Sequence, residues 1–511
     1  MSNSHLTVMP APEPKVCAAV PGTRAAPPLD PAHYVLQPGL ERVADPPGGL
    51  LVSTRPLVAM RINSQAWAVL GCLGVERTAA EVAAMTSLTP GHAEAFLESL
   101  ARKRLLRKRL PIPTDWPAIS VIVPARGRPA ATRACVASLL ALDYPRERLE
   151  ILVIDDASEP PLAAALAGLP IRLLRQDHNI GQSAARNLAA KQAQGSVLAF
   201  IDNDCEAHAS WLKALVPYLS EPAMGVVGGR IDSPSVTGWI AAYESVCSPL
   251  DMGEHGGEVG PAEAVAYLPT CNLLVDRSLM LNQGGFDPAM KLGEDVDFVW
   301  RAIRAGARAC YAPGGRVVHH HRVRLAALLS RRADYGSSEA DLQLRFPEGR
   351  RIMRLPLTVG AGLAALVTAS VSWITALFLA IATLAALTLE TITKRQRIHR
   401  MGLKLPAGTV LSAVGRGHWA SLYHLSAHVS RYYSLPLLIG GLLWTPLLPM
   451  TAVLLLIAPV SDYRRLRPRL PLPMFVGLSC LEMAAYQLGV WRGCFKQRTL
   501  RPWWPKVRWI R

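Results

Sequence analysis

The sequence predicts an α/β protein with a mostly parallel sheet, preceded by a small α+β unit and followed by an apolar helical region. Three observations predict this. Strand-like runs such as "ISVIVPARG", "EILVIDDAS", "IRLLRQD" and "SVLAFIDND" alternate with helical stretches. Continuous apolar strands separated by helices indicate a sheet covered on both faces. Upstream, short strand-like runs joined by Pro/Gly turns lead into amphipathic helices. Downstream, residues 355–389 carry no charge at all.

Residues 1–32 are rich in Pro and Ala and lack a charged start followed by an apolar core. They are expected to be a disordered leader rather than a signal peptide. Residues 33–110 form the first unit. "HYVLQPGLERVADPPGGLLVSTRPLVAMRI" reads as short strands, followed by a helix entered at Asn63-Ser64. Phe96, Leu97 and Leu100 keep helical spacing in a later amphipathic helix. The expected form is a three-stranded sheet on three helices, winged-helix-like and without a catalytic cluster. Binding is its expected role.

"PIPTDWP" reads as a linker, and residues 117–345 as the α/β domain. A helix is expected after each of its first three strands. In such sheets, ligands bind beyond the carboxyl ends of the strands. Two strands end in carboxylate pairs, Asp155-Asp156 and Asp202/Asp204, and both are expected to face one cleft.

Residues 350–511 are apolar and basic. From Arg345 onward the chain carries 22 basic and 4 acidic residues, which accounts for its whole net charge of +17. That asymmetry, joined to long apolar runs, points to a membrane surface and away from nucleic acid. A bilayer span takes about 20 apolar residues. The run 355–389 therefore suits one long tilted helix or a tight hairpin, and 435–460 is a second candidate interrupted by Pro446 and Pro449. "GHWASLYHLSAHVSRYYS" reads as an interfacial amphipathic helix. Basic clusters flank both runs, as expected for segments that return to a cytoplasmic side. The nine cysteines form no C-x-x-C pair, which disfavours a zinc or disulfide framework and fits a reducing compartment.

The acidic residues carry the candidate chemistry. Asp202 and Asp204 are like charges one residue apart, a pattern eased by a cation between them. Carboxylates at a strand end are hard oxygen ligands suited to Mg²⁺ or Mn²⁺ beside a diphosphate. In this reading Asp204 binds metal, while Asp202 binds ribose or the metal's waters. Asp156 accepts from a base N–H, and Asp155 holds the same edge or supports the strand end. "NIGQSAARN" is a Gly/Ser turn opening a helix, and a helix start and Arg186 both favour phosphate. In "MKLGEDVDFVWRAIRAG", Glu294, Asp295 and Asp297 open a helix; the dipole explains one of these carboxylates better than three. Asp295 is the candidate general base, with Glu294 as an orienting neighbour or acceptor contact. "HHH" on an extended segment puts at most two side chains on one face, so His319 with His321, or His320 alone, can complete a metal shell or simply form a polar strand end.

"SVIVPARGRP", "VIDDAS", "NIGQSAARN", "AFIDND" and "GEDVDFVWR", in this order, resemble the family 2 inverting glycosyltransferases of the GT-A (Rossmann-like) fold. The resemblance implies that Asp155 and Asp156 bind uridine and that Pro124 and Arg126 line the nucleotide-sugar site. It also implies that Asp202 and Asp204 form the D-x-D metal site for Mn²⁺ or Mg²⁺, that Arg186 faces the diphosphate and that Asp295 is the base. The Q-x-x-R-W motif of processive synthases is absent; "RRADYGSS" stands where it would follow. The N-terminal unit is similar to the peptide-binding domain of the pyrroloquinoline quinone pathway, on "LQPGLERV", "MRINSQAWAVLGCLGVERTAAEVA" and "FLESLARKRLL". That family takes a leader peptide as an added strand. The combination resembles the mycofactocin-system glycosyltransferases. This implies transfer of glucose from UDP-glucose onto a peptide-derived redox cofactor or its precursor, as a short β-linked glucan, at the cytoplasmic side of the cell membrane. A polyprenyl-phosphate or envelope-polysaccharide acceptor, and a non-catalytic peptide-binding scaffold, are the alternatives.

Overall fold

The computed structural model describes residues 31–54, 57–103, 105–234, 237–320, 324–349 and 352–510. The leader expected over residues 1–32 lies, but for its last two residues, outside them. The chain forms two compact units, one from residues up to 114 together with 356–421, the other from 115–355 and 422–510.

The first unit begins with β1 (His33–Leu36), β2 (Leu40–Asp45), β3 (Gly48–Thr54), β4 (Leu57–Ile62), α1 (Ser64–Cys72), β5 (Arg77–Thr78), α2 (Ala79–Met85), α3 (Pro90–Arg102) and β6 (Leu106–Arg109). Each helix has a local start signal. Asn63 caps α1, Thr78 and Glu81 form a reciprocal capping box on α2, and Thr89 precedes Pro90 at the first position of α3. Val69, Leu70, Leu97 and Leu100 bury the inner faces. The strands make two three-stranded sheets, β2-β3-β4 and β5-β1-β6, rather than the single sheet expected. The second sheet joins β1 to β6 across some seventy residues of sequence, a pairing that local periodicity does not reveal.

The second unit runs through β7 (Ile119–Ala125), α4 (Pro129–Leu140), β8 (Leu149–Asp156), β9 (Arg172–Gln176), α5 (Gln182–Gln192), β10 (Val197–Phe200), β11 (Cys205–Ala207), α6 (Trp211–Leu215), β12 (Met224–Asp232), α7 (Trp239–Cys247), β13 (Gly257–Glu258), β14 (Leu273–Asp276), α8 (Arg277–Asn282), α9 (Glu294–Arg304), β15 (Arg308–His319), α10 (Leu325–Arg345) and β16 (Ile352–Pro356). The sheet order is β11-β15-β12-β14-β10-β7-β8-β9, with β13 also on β15. The ladders β10-β7-β8-β9 and β12-β15 are parallel. Alternate residues of β7 feed cores on opposite faces: Val121 and Val123 pack with Leu139 and Trp211, Ile122 with Phe200 and Phe298. The carboxyl ends of β7, β8 and β10 therefore lie side by side, where the parallel-sheet reading places a ligand. The helix expected between β8 and β9 is absent; residues 162–168 form successive turns in which Leu162 and Leu166 are buried. Asp155 captures the Leu162 N–H, so this short segment is closed by a side chain instead of a helical ladder.

The first unit resumes with α11 (Leu357–Thr368), α12 (Trp373–Arg400) and the start of α13 (Ala407–Tyr432). The uncharged run is thus two helices broken at 369–372. The second unit continues with the end of α13, then α14 (Ser434–Leu443), α15 (Leu448–Leu466), α16 (Leu472–Gln497) and β17 (Lys506–Ile510), which pairs with β16. Among the described residues, three helical stretches are long and apolar enough to cross a membrane: Trp373–Arg400, Thr445–Leu466 and Leu472–Gln497. α10 packs tightly on α16 because small residues meet. A Cβ on Gly489 or Gly493 would overlap the carbonyls of Ala333 or Ser337, and one on Gly336 would overlap that of Tyr486. Such G-x-x-x-G contacts let backbones approach closely.

Candidate active site

A cavity of 860 Å³ opens at the carboxyl ends of β7, β8 and β10, and both acidic clusters line it. Pro124, Arg126, Asp156, Arg186, Asp202, Asp204, Glu294, Asp295 and His319 all contribute to its wall. His321 lies outside the described residues.

The first cluster follows β10. Asp202 Oδ1 accepts from Arg186 Nη2 at 2.7 Å. Asp204 Oδ2 accepts from Arg128 Nη1 at 2.6 Å, and its Oδ1 stands 3.6 Å from His319 Nε2. The turn carrying both is fixed by backbone bonds from Cys205 N–H to the Asp202 carbonyl and from His320 N–H to the Asp204 carbonyl. Asp204, Cys205 and His319 bring one ligand atom each within 4.8 Å of one another. A carboxylate oxygen and an imidazole nitrogen at that spacing fit a divalent cation such as Mn²⁺ or Mg²⁺. Arg128, half exposed, holds the other oxygen of Asp204. His320 faces the cavity too, but its Nε2 lies 2.8 Å from Glu206 Oε1.

The second cluster opens α9. Gly293 adopts φ +82°, a conformation costly for any side chain, and turns the chain so that Glu294 and Asp295 start the helix at the cavity. Arg186, 1% exposed, joins the clusters: Nη1 donates to Glu294 Oε1 at 3.1 Å while Nη2 holds Asp202. Gln182 also donates to Glu294, at 2.9 Å. Glu294 is thereby committed to α5. Asp295 is not. Burial first, and the Glu294 charge second, push its carboxyl up to about 7, against the pull of the Val296 N–H and Arg186.

The aspartates ending β8 part company. Asp156 lines the cavity and accepts from Ile180 N–H at 2.7 Å and Gly181 N–H at 3.0 Å, so it orients the turn that starts α5. Asp155, expected on the nucleotide, is fully buried and is absent from the cavity wall. It accepts from Ser158 N–H, Leu162 N–H and Arg175. Burial pushes its carboxyl up, but these hydrogen bonds outweigh it and hold it below the ordinary range. Of the two roles weighed for Asp155, supporting the strand end is the one its contacts fit.

Residues 120–278 match the profile of Glycosyl transferase family 2. The pre-mycofactocin glycosyltransferase of Mycobacterium tuberculosis is 30% identical over 405 residues, which cover 76% of this chain and 82% of that protein. The chain belongs to glycosyltransferase family 2. Glycosyltransferase AglE of Haloferax volcanii is 29% identical over 203 residues, 38% of this chain and 64% of that one. Among solved structures, the mannosyltransferase PcManGT of Pyrobaculum calidifontis in complex with GDP-Man and Mn²⁺ covers 74% of this chain and 96% of its own at 21% identity, with a TM-score of 0.38.

This family 2 transferase has the GT-A architecture, and its cavity contains residues that sequence reasoning missed. Arg128 adjoins the D-x-D pair. From α10 come Arg331 and Tyr335, with the Arg331 guanidinium 5.0 Å from the Tyr335 ring centre. Tyr267, Trp300, Arg431 and Tyr486 complete the far wall. Arg332, between Glu244 and Glu482, ties α10 to α7 and α16. The one sequence signal for Arg331 and Tyr335 was "RRADYGSS", noted only as a departure from the processive pattern. Arg431 and Tyr486 enter through tertiary packing and have no local signature.

Proposed function

We propose that this glycosyltransferase moves a hexose, glucose from UDP-glucose, with inversion onto a peptide-derived redox cofactor or its precursor. The observation that carries the transfer chemistry is that Asp204 and Asp295 line one cavity, joined through Asp202, Arg186 and Glu294. Similarity over 82% of a pre-mycofactocin glycosyltransferase supports the acceptor class.

Asp204, with His319, would hold Mn²⁺ or Mg²⁺, which supplies charge to offset the departing diphosphate. Asp202 and Arg186 fix the edge of that site, and Arg126 and Arg331 offer further positive charge to the phosphates. Asp295 takes the proton of the acceptor hydroxyl as its oxygen bonds to the anomeric carbon. The bond from that carbon to the diphosphate oxygen breaks, and the nucleoside diphosphate keeps the electron pair. A carboxyl near 7 is well matched to this work, since it is half ionised at neutral pH and a good proton acceptor. Asp156 positions the α5 turn next to the base.

Residues 33–110 serve as the peptide-recognition unit, 117–345 as the transfer domain, and 350–511 as the membrane-associated region at the cytoplasmic face. Three apolar helical stretches and their basic flanks support the last of these. One observation favours a lipid-linked acceptor as a second reading: α16, a candidate span, contributes Glu482, Met483 and Tyr486 to the cavity. The test is mass spectrometry of full-length protein with UDP-sugars, Mn²⁺ and both acceptor types. Hexose on the peptide-derived compound supports the reading, and hexose on lipid alone replaces it with the second.

A further inference from the structure

Of the six arginines that line the cavity among the described residues, Arg128, Arg186 and Arg332 lie against carboxylates. Arg186 lies against Asp202 and Glu294, and Arg332 against Glu244 and Glu482. Arg331 and Arg431 line the same cavity, yet neither has a carboxylate within ion-pair distance among the described residues. Each lies over a tyrosine ring instead, Arg431 at 4.5 Å from the centre of Tyr486. A cation drawn out of water without an anion is costly. A ring face returns only about 0.5–2 kcal/mol of that. Both positions therefore favour an anionic group on a ligand.

The two sit in different surroundings. Arg331 is within electrostatic reach of both Asp202 and Glu294, between the D-x-D pair and the start of α9. Arg431 is surrounded by Tyr486, Tyr432, Glu339 and Tyr267. Glu339 takes the Tyr432 hydroxyl at 2.7 Å. Tyr267 in turn is within reach of Asp295. A diphosphate would engage Arg331, whereas Arg431, whose neighbour Glu339 lies beyond ion-pair distance and holds the Tyr432 hydroxyl, stays open to a second anion.

We propose that Arg431, with Tyr486 beneath it, binds a carboxylate or phosphate carried by the acceptor and so selects which hydroxyl reaches Asp295. This rests on the glycosyl-transfer reading. It makes the end of α13 and the middle of α16 a specificity wall as well as part of an apolar region. Arg431 is a positioning residue, remote from the reacting bond.

The test uses full-length protein, UDP-glucose and Mn²⁺ with two acceptor pairs. One pair is N-acetylserine and N-acetylserinamide; the other is phosphatidylglycerol and diacylglycerol in phosphatidylcholine vesicles, so that each member carries a free hydroxyl and only one of each pair an anion. Wild type is expected to prefer the anionic member of a pair at least tenfold in kcat/KM. Arg431→Ala should abolish the preference by raising the KM of the anionic acceptor alone, and Arg431→Lys should restore part of it. Preference confined to the first pair supports a soluble anionic acceptor, and preference confined to the second supports a lipid phosphate. Equal use of both members, an equal loss on both in Arg431→Ala, or donor hydrolysis with transfer to none of the four overturns the inference. Absence of any donor turnover by wild type instead overturns the glycosyl-transfer reading beneath it.

Discussion

Replacing Asp295 by Asn removes the base while keeping the size of the side chain and the Val296 N–H contact. Wild-type Asp295 is held at about 7. Its ionised fraction is then roughly a tenth at pH 6 and nine-tenths at pH 8, so kcat/KM rises about tenfold across that interval and flattens above it. In Asp295→Asn the rate falls by roughly 10²–10⁴-fold and the pH dependence between 6 and 8 disappears. Stability moves in the opposite sense. The folded carboxyl titrates above its unfolded value of 3.8, so the native state binds the extra proton between about pH 4 and 7. Stability from this group is present below that window and is lost as pH rises through 7. Carrying the ionised carboxylate at pH 8 costs the fold up to roughly 4 kcal/mol, less where solvent reaches it. Asp295→Asn should therefore melt higher than wild type at pH 8 and show little difference at pH 4. UDP release followed against pH, with melting curves at pH 4 and 8, checks both signs. A variant that retains wild-type rate, or a wild-type profile flat from pH 5 to 8, would refute the assignment.

Asp204→Asn should raise the Mn²⁺ concentration for half-maximal rate well beyond the roughly 10–100-fold seen when only a partner of a metal ligand is lost, as read from a Mn²⁺ titration of activity. Arg186→Met leaves the buried Glu294 without its cation and removes the partner of the half-buried Asp202, and should lower stability by about 3–5 kcal/mol in denaturant unfolding. Gly489→Val forces α16 away from the Ala333 carbonyl; about 2–4 kcal/mol is lost, and with the α10 residues Arg331 and Tyr335 displaced, transfer falls alongside the melting temperature. Charging the exposed α12 face at Phe378 and Ile381, 69% and 58% exposed, with Glu should shift the protein from the membrane pellet to the supernatant.

The sequence made legible what depends on short-range pattern. Strands such as Ile119–Ala125 and Leu149–Asp156 were visible as apolar runs, and the acidic residues at their ends as a shared ligand edge. The start of α9 was visible because three carboxylates follow Gly293. The hidden parts depend on partners far away in the chain. Asp155 and Asp156 are chemically alike in the sequence. Strand alternation sends one into the β8 turn and the other to the cavity, and only the Ser158 and Leu162 N–H groups show which is which. Residues 162–168 carry helical-looking apolar spacing, yet they are too few for a helix once Asp155 closes the segment. The far wall of the cavity was hidden because Gly336, Gly489 and Gly493 bring α10 and α16 together, and a glycine's use as a close contact depends on what faces it.

The central claim is that one cavity holds a donor at the Asp202–Asp204 end and a proton acceptor at Asp295. Donor affinity and turnover measured side by side test it most directly, by calorimetric titration of UDP-glucose with Mn²⁺ and by UDP release, on wild type, Asp204→Asn and Asp295→Asn. The account predicts that Asp204→Asn loses donor binding, whereas Asp295→Asn binds donor like wild type and fails to turn it over. Loss of binding in Asp295→Asn with full turnover in Asp204→Asn would contradict it.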